Sequence, residues 1–590
     1  MTPRIQRRVV PGLTTQWPDA VHPVLRRVYA SRGIASPDEI DYRLAGLLPP
    51  TIGGMDRACE ILLAAIRDDA RIVIVGDFDC DGATGTAVAV RGLRLLGARN
   101  VDYAVPNRMR HGYGLSPAIV EELLPRKPDL LITVDNGIAA HAGVAAAKAH
   151  GMRVIVTDHH LPGATLPVAD AIVNPNAEKQ IEKCGQGWPL LDVGAQDAHL
   201  RCLAGVGVMF YLLLALRARL RASGRFIAAA EPDLSMLLDL VALGTVADLV
   251  PLDRNNRILV EAGLRRIRAG RACAGIAALF TAGRRDIARA VASDLGFAVG
   301  PRLNAAGRLE DMTLGIECLL TDDAGRAADL AEALSTINAE RRELQDGMTA
   351  QAQAEVDKWI SRHGANGLPH GVVLFDPDWH HGVVGLVASK LKESLHRPVI
   401  ACAPAGEHGD EVKASGRSIP GFHLRDALAE VDARHPGLIQ RFGGHAMAAG
   451  MSLNRADLQT FGAAFDAVAR ERLAPEMLDA VLMTDGELAE SDFSLELAQL
   501  LRYAGPWGQA FPEPVFDDEF TVESWKVVGE RHIKLKLHHR DRDVLMDAIA
   551  FNGYVGEAPP ARLRAAFQLD VNEWNGAQSL QLLILHMESA

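Results

Sequence analysis

Residues 75–85 read VGDFDCDGATG: the apolar run IVIV (72–75) ends, and Asp77, Asp79 and Asp81 alternate directly after it. Three like charges where a strand leaves the core repel one another and lose hydration, which is costly unless a cation is held there. The same theme continues outward. From about residue 70 to 175 the β-branched runs RIVIV, VDYAV, LLITV, RVIV and DAIV are separated by GTAVAVRGLRLLGA, SPAIVEELL and AAHAGVAAAKAHG, which have helical spacing. Strands alternating with helices predict an α/β domain with a mostly parallel sheet. The runs end in GDFDCDG, PNRMRHGYG, DNG, DHH and NPN. Open α/β sheets bind ligands beyond the carboxyl ends of their strands, so these polar segments converge on one rim.

Beyond this region, residues 178–204 lack periodicity and read as a loop or insertion. Helical patterning resumes through GVGVMFYLLLALRARL and DLSMLLDLVALGTVADLVPL. Residues 322–360, rich in helix formers, predict a long solvated helix joining two domains. A second βαβ pattern follows in GVVLF, GVVGLVASKLKESL and RPVIACA. From about residue 514 the tail alternates in short strands, with a turn at Asn575-Gly576, and suggests a small barrel or sandwich.

Composition bounds the function without naming it. A chain of 590 residues, 48% hydrophobic, is long enough for several packed domains. Apolar stretches such as VGVMFYLLLAL are too short to span a bilayer, and MTPRIQRRVVPG has no apolar segment of secretory length. The 7 cysteines form no Cys-x-x-Cys pair, which favours reduced thiols over disulfides or structural zinc. A soluble cytoplasmic protein is expected. The net charge of −12 does not exclude nucleic acid, because phosphate binding needs local basic clusters rather than a basic total.

Asp77, Asp79 and Asp81, with Asp135 and the pair His159-His160, form an oxygen-rich donor set that suits Mg²⁺ or Mn²⁺. The three aspartates are expected on the turn after the strand, with Gly82 and Gly85 relaxing the backbone. A lone aspartate at a strand end is more often a helix N-cap, DNG is usually a turn, and an isolated His pair is more often surface or core. Recurrence at successive strand ends outweighs these readings; Asp248, after LVALGTVA, would be one more ligand. Two ions could bind a phosphate, activate water and stabilise the leaving oxygen. No serine elbow, Cys-His arrangement or Walker-type loop is present, so direct attack by metal-activated water is expected.

The motifs GDFDCDG, DNG and DHH, in this order, resemble the DHH phosphoesterase superfamily. PNRMRHGYG, GPRLNAAGRL, HHGVVGLVASKL, SGRS and GGHAMAAG are similar to its branch of bacterial single-stranded-DNA-specific 5′→3′ exonucleases. The resemblance, from about residue 70 to the C-terminus, implies metal ligation by Asp77, Asp79, Asp81, Asp135, His159 and Asp248, with Mg²⁺ or Mn²⁺ as two ions. His160 would be a ligand or a phosphate contact, and Asp158 the carboxylate orienting a histidine. Substrate contacts map to Arg108, Asn304, Arg308, His381, Ser415, Arg417 and His445, the arginines suiting the 5′ phosphate and adjacent backbone.

The implied domains are an N-terminal region (1–69), a DHH catalytic domain (70–275) and a helical connector with a phosphate-contact motif (276–362). A smaller α/β DHHA1 domain (363–465) and an OB-like β-barrel region (466–590) follow. In the barrel, Lys534 and Lys536 share a strand face with Trp525 nearby in sequence, as a single-strand groove needs, and an ordinary amphipathic barrel strand with a wet face fits these residues equally well. The implied protein is a monomer that threads single-stranded DNA between two domains and releases 5′ mononucleotides in repair and recombination. Its implied partners are a single-stranded DNA-binding protein and a RecQ-type helicase. Two alternatives are a phosphoesterase of short oligonucleotides or pAp-like nucleotides, and a non-catalytic single-strand scaffold. A terminal groove argues against the first, clustered carboxylates against the second.

Overall fold

The structure, a computed structural model, describes all residues except 1–2, 11–16, 108–110, 112, 178–199, 227–229, 364–366, 406–408, 540–544, 555 and 575. Arg108, most of the 178–204 segment and Asn575 therefore lie outside the described residues. Strand β1 (Arg4–Arg7) runs parallel to Val481–Thr484. The motif-bearing region forms one parallel sheet from β2 (Ile72–Gly76), β3 (Val101–Ala104), β4 (Leu130–Val134), β5 (Arg153–Thr157) and β6 (Ala171–Val173). Their order is β3-β2-β4-β5-β6.

Every residue of β2 and β4 is buried, as an uninterrupted Val/Ile/Leu run requires when helices cover both faces. On one face Val73, Val75, Leu131, Val154 and Val156 pack with Ile119, Leu123, Val144 and Ala147 of the helices Pro117–Leu123 and His141–Ala149. The helices Cys80–Leu95 and Gly205–Ala222 pack together against the sheet. Because all five strands run the same way, their polar ends share one edge.

Helix Ala324–His363 is a single 40-residue element, the expected long connector. After it, β7 (Val372–Phe375), helix Val384–Leu395 and β8 (Val399–Ala405) make the second βαβ unit. Antiparallel strands β9 (Glu411–Arg417), β10 (Arg441–Gly444) and β11 (Ala448–Asn454) extend that sheet in the order β10-β11-β9-β8-β7. β12 (Val481–Thr484) is the partner of β1. The tail closes into a barrel of β13 (Phe516–Val528), β14 (His532–His539), β15 (Leu545–Ala550), β16 (Arg562–Trp574) and β17 (Ala577–Ser589), in the order β13-β14-β15-β17-β16.

The chain divides into two compact units: residues 9–338, 485–585 and 589–590, and residues 1–8, 339–484 and 586–588. Among the described residues, no helix is long and apolar enough to cross a membrane.

Candidate active site

The turn after β2 resolves into three roles. Asp77 follows the strand directly. Asp79 is the N-cap of helix Cys80–Leu95, its Oδ1 accepting from Gly82 N at 3.0 Å, and Asp81 lies inside the first helical turn rather than on the preceding turn. The cap engages only one oxygen of Asp79 in that bond, so capping and the expected ligand role do not exclude each other. Gly82 is needed for space, not for an unusual backbone angle: a Cβ there would lie 2.5–2.7 Å from the backbone of Asp77. Asp81 is buried, and its two oxygens accept from Gly205 N and Val206 N at 2.6 and 2.9 Å. The N-terminus of the Gly205–Ala222 helix therefore holds Asp81, and its unsatisfied amides favour a carboxylate there.

At the end of β4, Asp135 adopts a left-handed backbone with φ 62°. Gly205 lets the neighbouring helix come close, since a Cβ there would lie 2.5 Å from the Asp135 Cβ. Asn136, fully buried, donates to Val75 O and Val134 O at 2.9 and 3.0 Å and accepts from Leu115 N at 3.1 Å, tying two strand ends to the preceding loop. At the end of β5, Asp158 Oδ1 meets His160 Nδ1 at 2.8 Å. Asn174 and Asn176, in the NPN segment after β6, donate to the carbonyls of His160 and His159 at 2.9 and 2.5 Å.

His159 Nε2 lies 3.0 Å from Asp135 Oδ1 and 3.5 Å from Asp248 Oδ2, and Asp248 stands at the end of helix Leu238–Ala247 rather than of a strand. Three groups bring ligand atoms within 4.8 Å of one another: Asp77 with Asp79 and Asp135; Asp81 with His159 and Asp248; Asp135 with His159 and His160. All six proposed metal ligands are gathered, and His160 joins them. Tyr113, which the sequence reading left unassigned, rims the site. It is 54% exposed, with its ring edge-on to Phe78 and His160.

Burial and mutual repulsion dominate the electrostatics. Burial, then the charge of Asp79, lifts Asp81 to about 7; burial, then Asp81, lifts Asp135 and Asp248 well above the usual carboxylate range. Burial opposes a charge on His160, but the hydrogen bond and charge of Asp158 outweigh it and raise the imidazole to about 9. Asp135 Oδ1 and Asp248 Oδ2 are buried oxygens without a hydrogen bond among the described residues. Crowded carboxylates, with oxygens aimed at one another and an imidazole beside them, fit hard divalent cations.

The remaining candidates stand on other elements. Asn304 and Arg308 stand on helix Gly300–Leu309, and Asn304 Oδ1 accepts from Cys80 N at 2.8 Å. In the second unit, Ser415 and Arg417 lie on one face of β9. The N-terminus of helix Val384–Leu395 approaches them so closely that a Cβ on Gly385 would lie 3.0 Å from Arg417 Nη2 and 3.1 Å from Ser415 Oγ. No carboxylate pairs with Arg417 among the described residues, and burial pulls its guanidinium pKa down. His381 stacks on His380 with ring centroids 5.0 Å apart, and His445 N donates to Ala448 O at 2.7 Å.

The barrel corrects one expectation. Lys534 pairs across the strands with Lys526, and Lys536 with Ser524, whereas Trp525 pairs with Leu535 and therefore lies on the opposite face from the lysines. A register shift between Val522 and Ser524 inverts the alternation. Trp525 stacks on Tyr554 with ring centroids 6.5 Å apart, and Lys536 is engaged by Asp547 at 2.9 Å.

The chain is 50% identical over 588 residues, covering 99% of both chains, to the single-stranded-DNA-specific exonuclease RecJ of Dickeya dadantii. The protein of that name from Escherichia coli is 48% identical, covering 98% of each chain. The chain belongs to the RecJ family. Domain models agree: the DHH family N-terminal domain matches 71–245, the DHHA1 domain 369–471 and the RecJ OB domain 484–586. The crystal structure of Thermus thermophilus RecJ in complex with Mn²⁺ superimposes with a TM-score of 0.77 at 31% identity, covering 97% of this chain and 76% of that one. The same protein's Mg²⁺ complex gives 0.71 at 29% identity, covering 97% and 75%.

Proposed function

We infer that the protein is a metal-dependent exonuclease acting on single-stranded DNA. One observation carries this: the motif aspartates and His159 converge at the strand-end rim of a chain 50% identical to a RecJ exonuclease over 99% of its length. Mg²⁺ or Mn²⁺ is the cofactor, held by Asp77, Asp79, Asp81, Asp135, His159 and Asp248. Bound there, the ions would supply a water acidic enough to attack at neutral pH and neutralise charge on the phosphate.

The chain's own residues do the rest. Asp158 sets the ring of His160 beside Asp135, and Asn174 and Asn176 fix the backbone of both histidines. Tyr113 offers an exposed ring on which a terminal base can stack, a contact that tolerates any sequence. Ser415 and Arg417, at a helix N-terminus, provide a phosphate seat whose guanidinium lacks a carboxylate partner among the described residues.

A seat for a terminal phosphate supports 5′→3′ polarity and release of 5′ mononucleotides. The family resemblance supports a cytoplasmic monomer that works with a single-stranded DNA-binding protein and a RecQ-type helicase in repair and recombination. Digestion of 5′- and 3′-end-labelled single- and double-stranded DNA in Mg²⁺ and Mn²⁺ tests this reading. Mononucleotides should appear at once from a 5′ label on single strands only; immediate release from a 3′ label would overturn the polarity.

A further inference from the structure

The turn that carries the first aspartates is anchored from far along the chain. A helix leaves its first amides without internal partners. In helix Cys80–Leu95, Asp79 serves Gly82 N, while Cys80 N donates to Oδ1 of Asn304, 224 residues away in sequence. Three residues beyond Asn304, Gly307 brings the same helix against the turn, since a Cβ there would lie 1.7 Å from Phe78 O. Asn304 and Gly307 thus hold Cys80 and Phe78, the residues interleaved between Asp77, Asp79 and Asp81. Both lie beyond the span 71–245 matched by the DHH model.

We propose that Asn304 is a positioning residue: it contacts no substrate but fixes the backbone between Asp79 and Asp81, and so the spacing of the carboxylates that hold the metal. This rests on the metal reading above and deepens it. Three aspartates within one turn repel, and that repulsion opens the turn unless something holds its backbone. A neutral side-chain amide is suited to the task, because it accepts from Cys80 N without adding another negative charge.

The test is Mn²⁺ binding by the full-length protein without DNA, followed by the electron paramagnetic resonance signal of free Mn²⁺. Binding of a 5′-phosphorylated oligonucleotide in EDTA is measured beside it. Leaving one buried donor unmet costs about a factor of ten, so Asn304→Ala should bind Mn²⁺ about tenfold more weakly. Its oligonucleotide affinity in EDTA should be unchanged, and Asn304→Asp, which keeps the acceptor oxygen but adds the charge the amide avoids, should recover Mn²⁺ binding in part.

Wild-type Mn²⁺ affinity in Asn304→Ala, or a tenfold loss of oligonucleotide affinity with Mn²⁺ binding intact, overturns the proposal. Asp135→Ala is the control. If it too binds Mn²⁺ normally, the metal site itself is misplaced; if only Asn304→Ala does, the positioning role alone falls. Thermal melts in EDTA report folding, and Asn304→Gln, which displaces the amide by one methylene, replaces Asn304→Ala should that variant not fold.

Discussion

Asp158 Oδ1 lies 2.8 Å from Nδ1 of His160, so the buried carboxylate of the DHH triplet orients its second histidine. The same side chain accepts from His159 N at 2.8 Å, His160 N at 3.1 Å and Ile138 N at 2.9 Å, joining the end of β5 to the DNG turn after β4. Asp158→Ala should lower kcat or metal affinity by about 10–100-fold, as loss of an orienting partner around a metal site does. Asp158→Asn keeps an acceptor and should lose less. Wild-type turnover and Mn²⁺ affinity in both variants would show that this hydrogen bond is dispensable.

Much of this site was legible because parallel strands place their ends together. Once RIVIV, LLITV and RVIV read as strands of one sheet, Asp77, Asp135 and His159 had to be neighbours. Asp248 was less legible, because it follows an apolar helix outside the strand alternation, so no strand-end argument places it beside the others. The anchors Gly205, Val206 and Asn304 were not legible as anchors, since each acts through a residue more than a hundred positions away. The motif resemblance implies a substrate contact for Asn304; that its Oδ1 also accepts from the Cys80 amide is a contact no motif discloses. Trp525 is close to the lysines in sequence, but nearness in sequence does not fix a face, and the register shift between Val522 and Ser524 pairs it with Leu535.

The metal-free protein should lose stability as pH rises. Burial and the Asp79 charge lift Asp81 from 3.8 to about 7. A carboxyl that holds its proton more tightly when folded favours folding fully below its unfolded pKa, and that contribution disappears as pH climbs through about 7. In EDTA, wild type should therefore lose Tm relative to Asp81→Asn as pH rises through this window. Mn²⁺ should reverse the trend, raising Tm more at neutral than at acidic pH. Parallel Tm profiles for the two proteins in EDTA would refute the assignment.

Arg417 should matter most on short substrates. It has no carboxylate partner among the described residues and sits with Ser415 at the start of helix Val384–Leu395. One charge-assisted hydrogen bond contributes roughly 1.5–3 kcal/mol, about tenfold to over a hundredfold in affinity. Arg417→Ala should thus weaken a short 5′-phosphorylated oligonucleotide by that factor and a long strand by less. Arg417→Lys should recover only part, because an ammonium lacks the planar fork. Equal losses on 5′-phosphorylated and 5′-blocked oligonucleotides would place Arg417 away from the terminal phosphate.

The barrel should act through two separable surfaces rather than one groove. Lys526 and Lys534 are directly paired across β13 and β14, an arrangement of like charges that costs stability unless an anion lies over it. Trp525 and Tyr554 stack on the other face of the hairpin, with Trp525 39% exposed. Deleting residues from 514 onward would not isolate this role: Phe493 stacks on Phe567 with centroids 5.8 Å apart, so truncation opens a shared core. Point changes avoid that.

Replacing Lys526 and Lys534 by Ala should reduce the salt dependence of binding to long single strands, by about 0.7 in the log-log slope for each phosphate that a lysine no longer neutralises. Trp525→Ala should leave that slope unchanged and weaken binding by about 1–3 kcal/mol if one base stacks there. Neither change should alter hydrolysis of a very short oligonucleotide, because every proposed metal ligand lies at or before Asp248 in the chain. Affinity measured from low to high salt on long and short strands separates the two effects. If both variants bind long strands as wild type does at every salt concentration, the hairpin takes no part in holding DNA; if the tryptophan variant changes the slope as much as the lysine variant, the two faces are not independent.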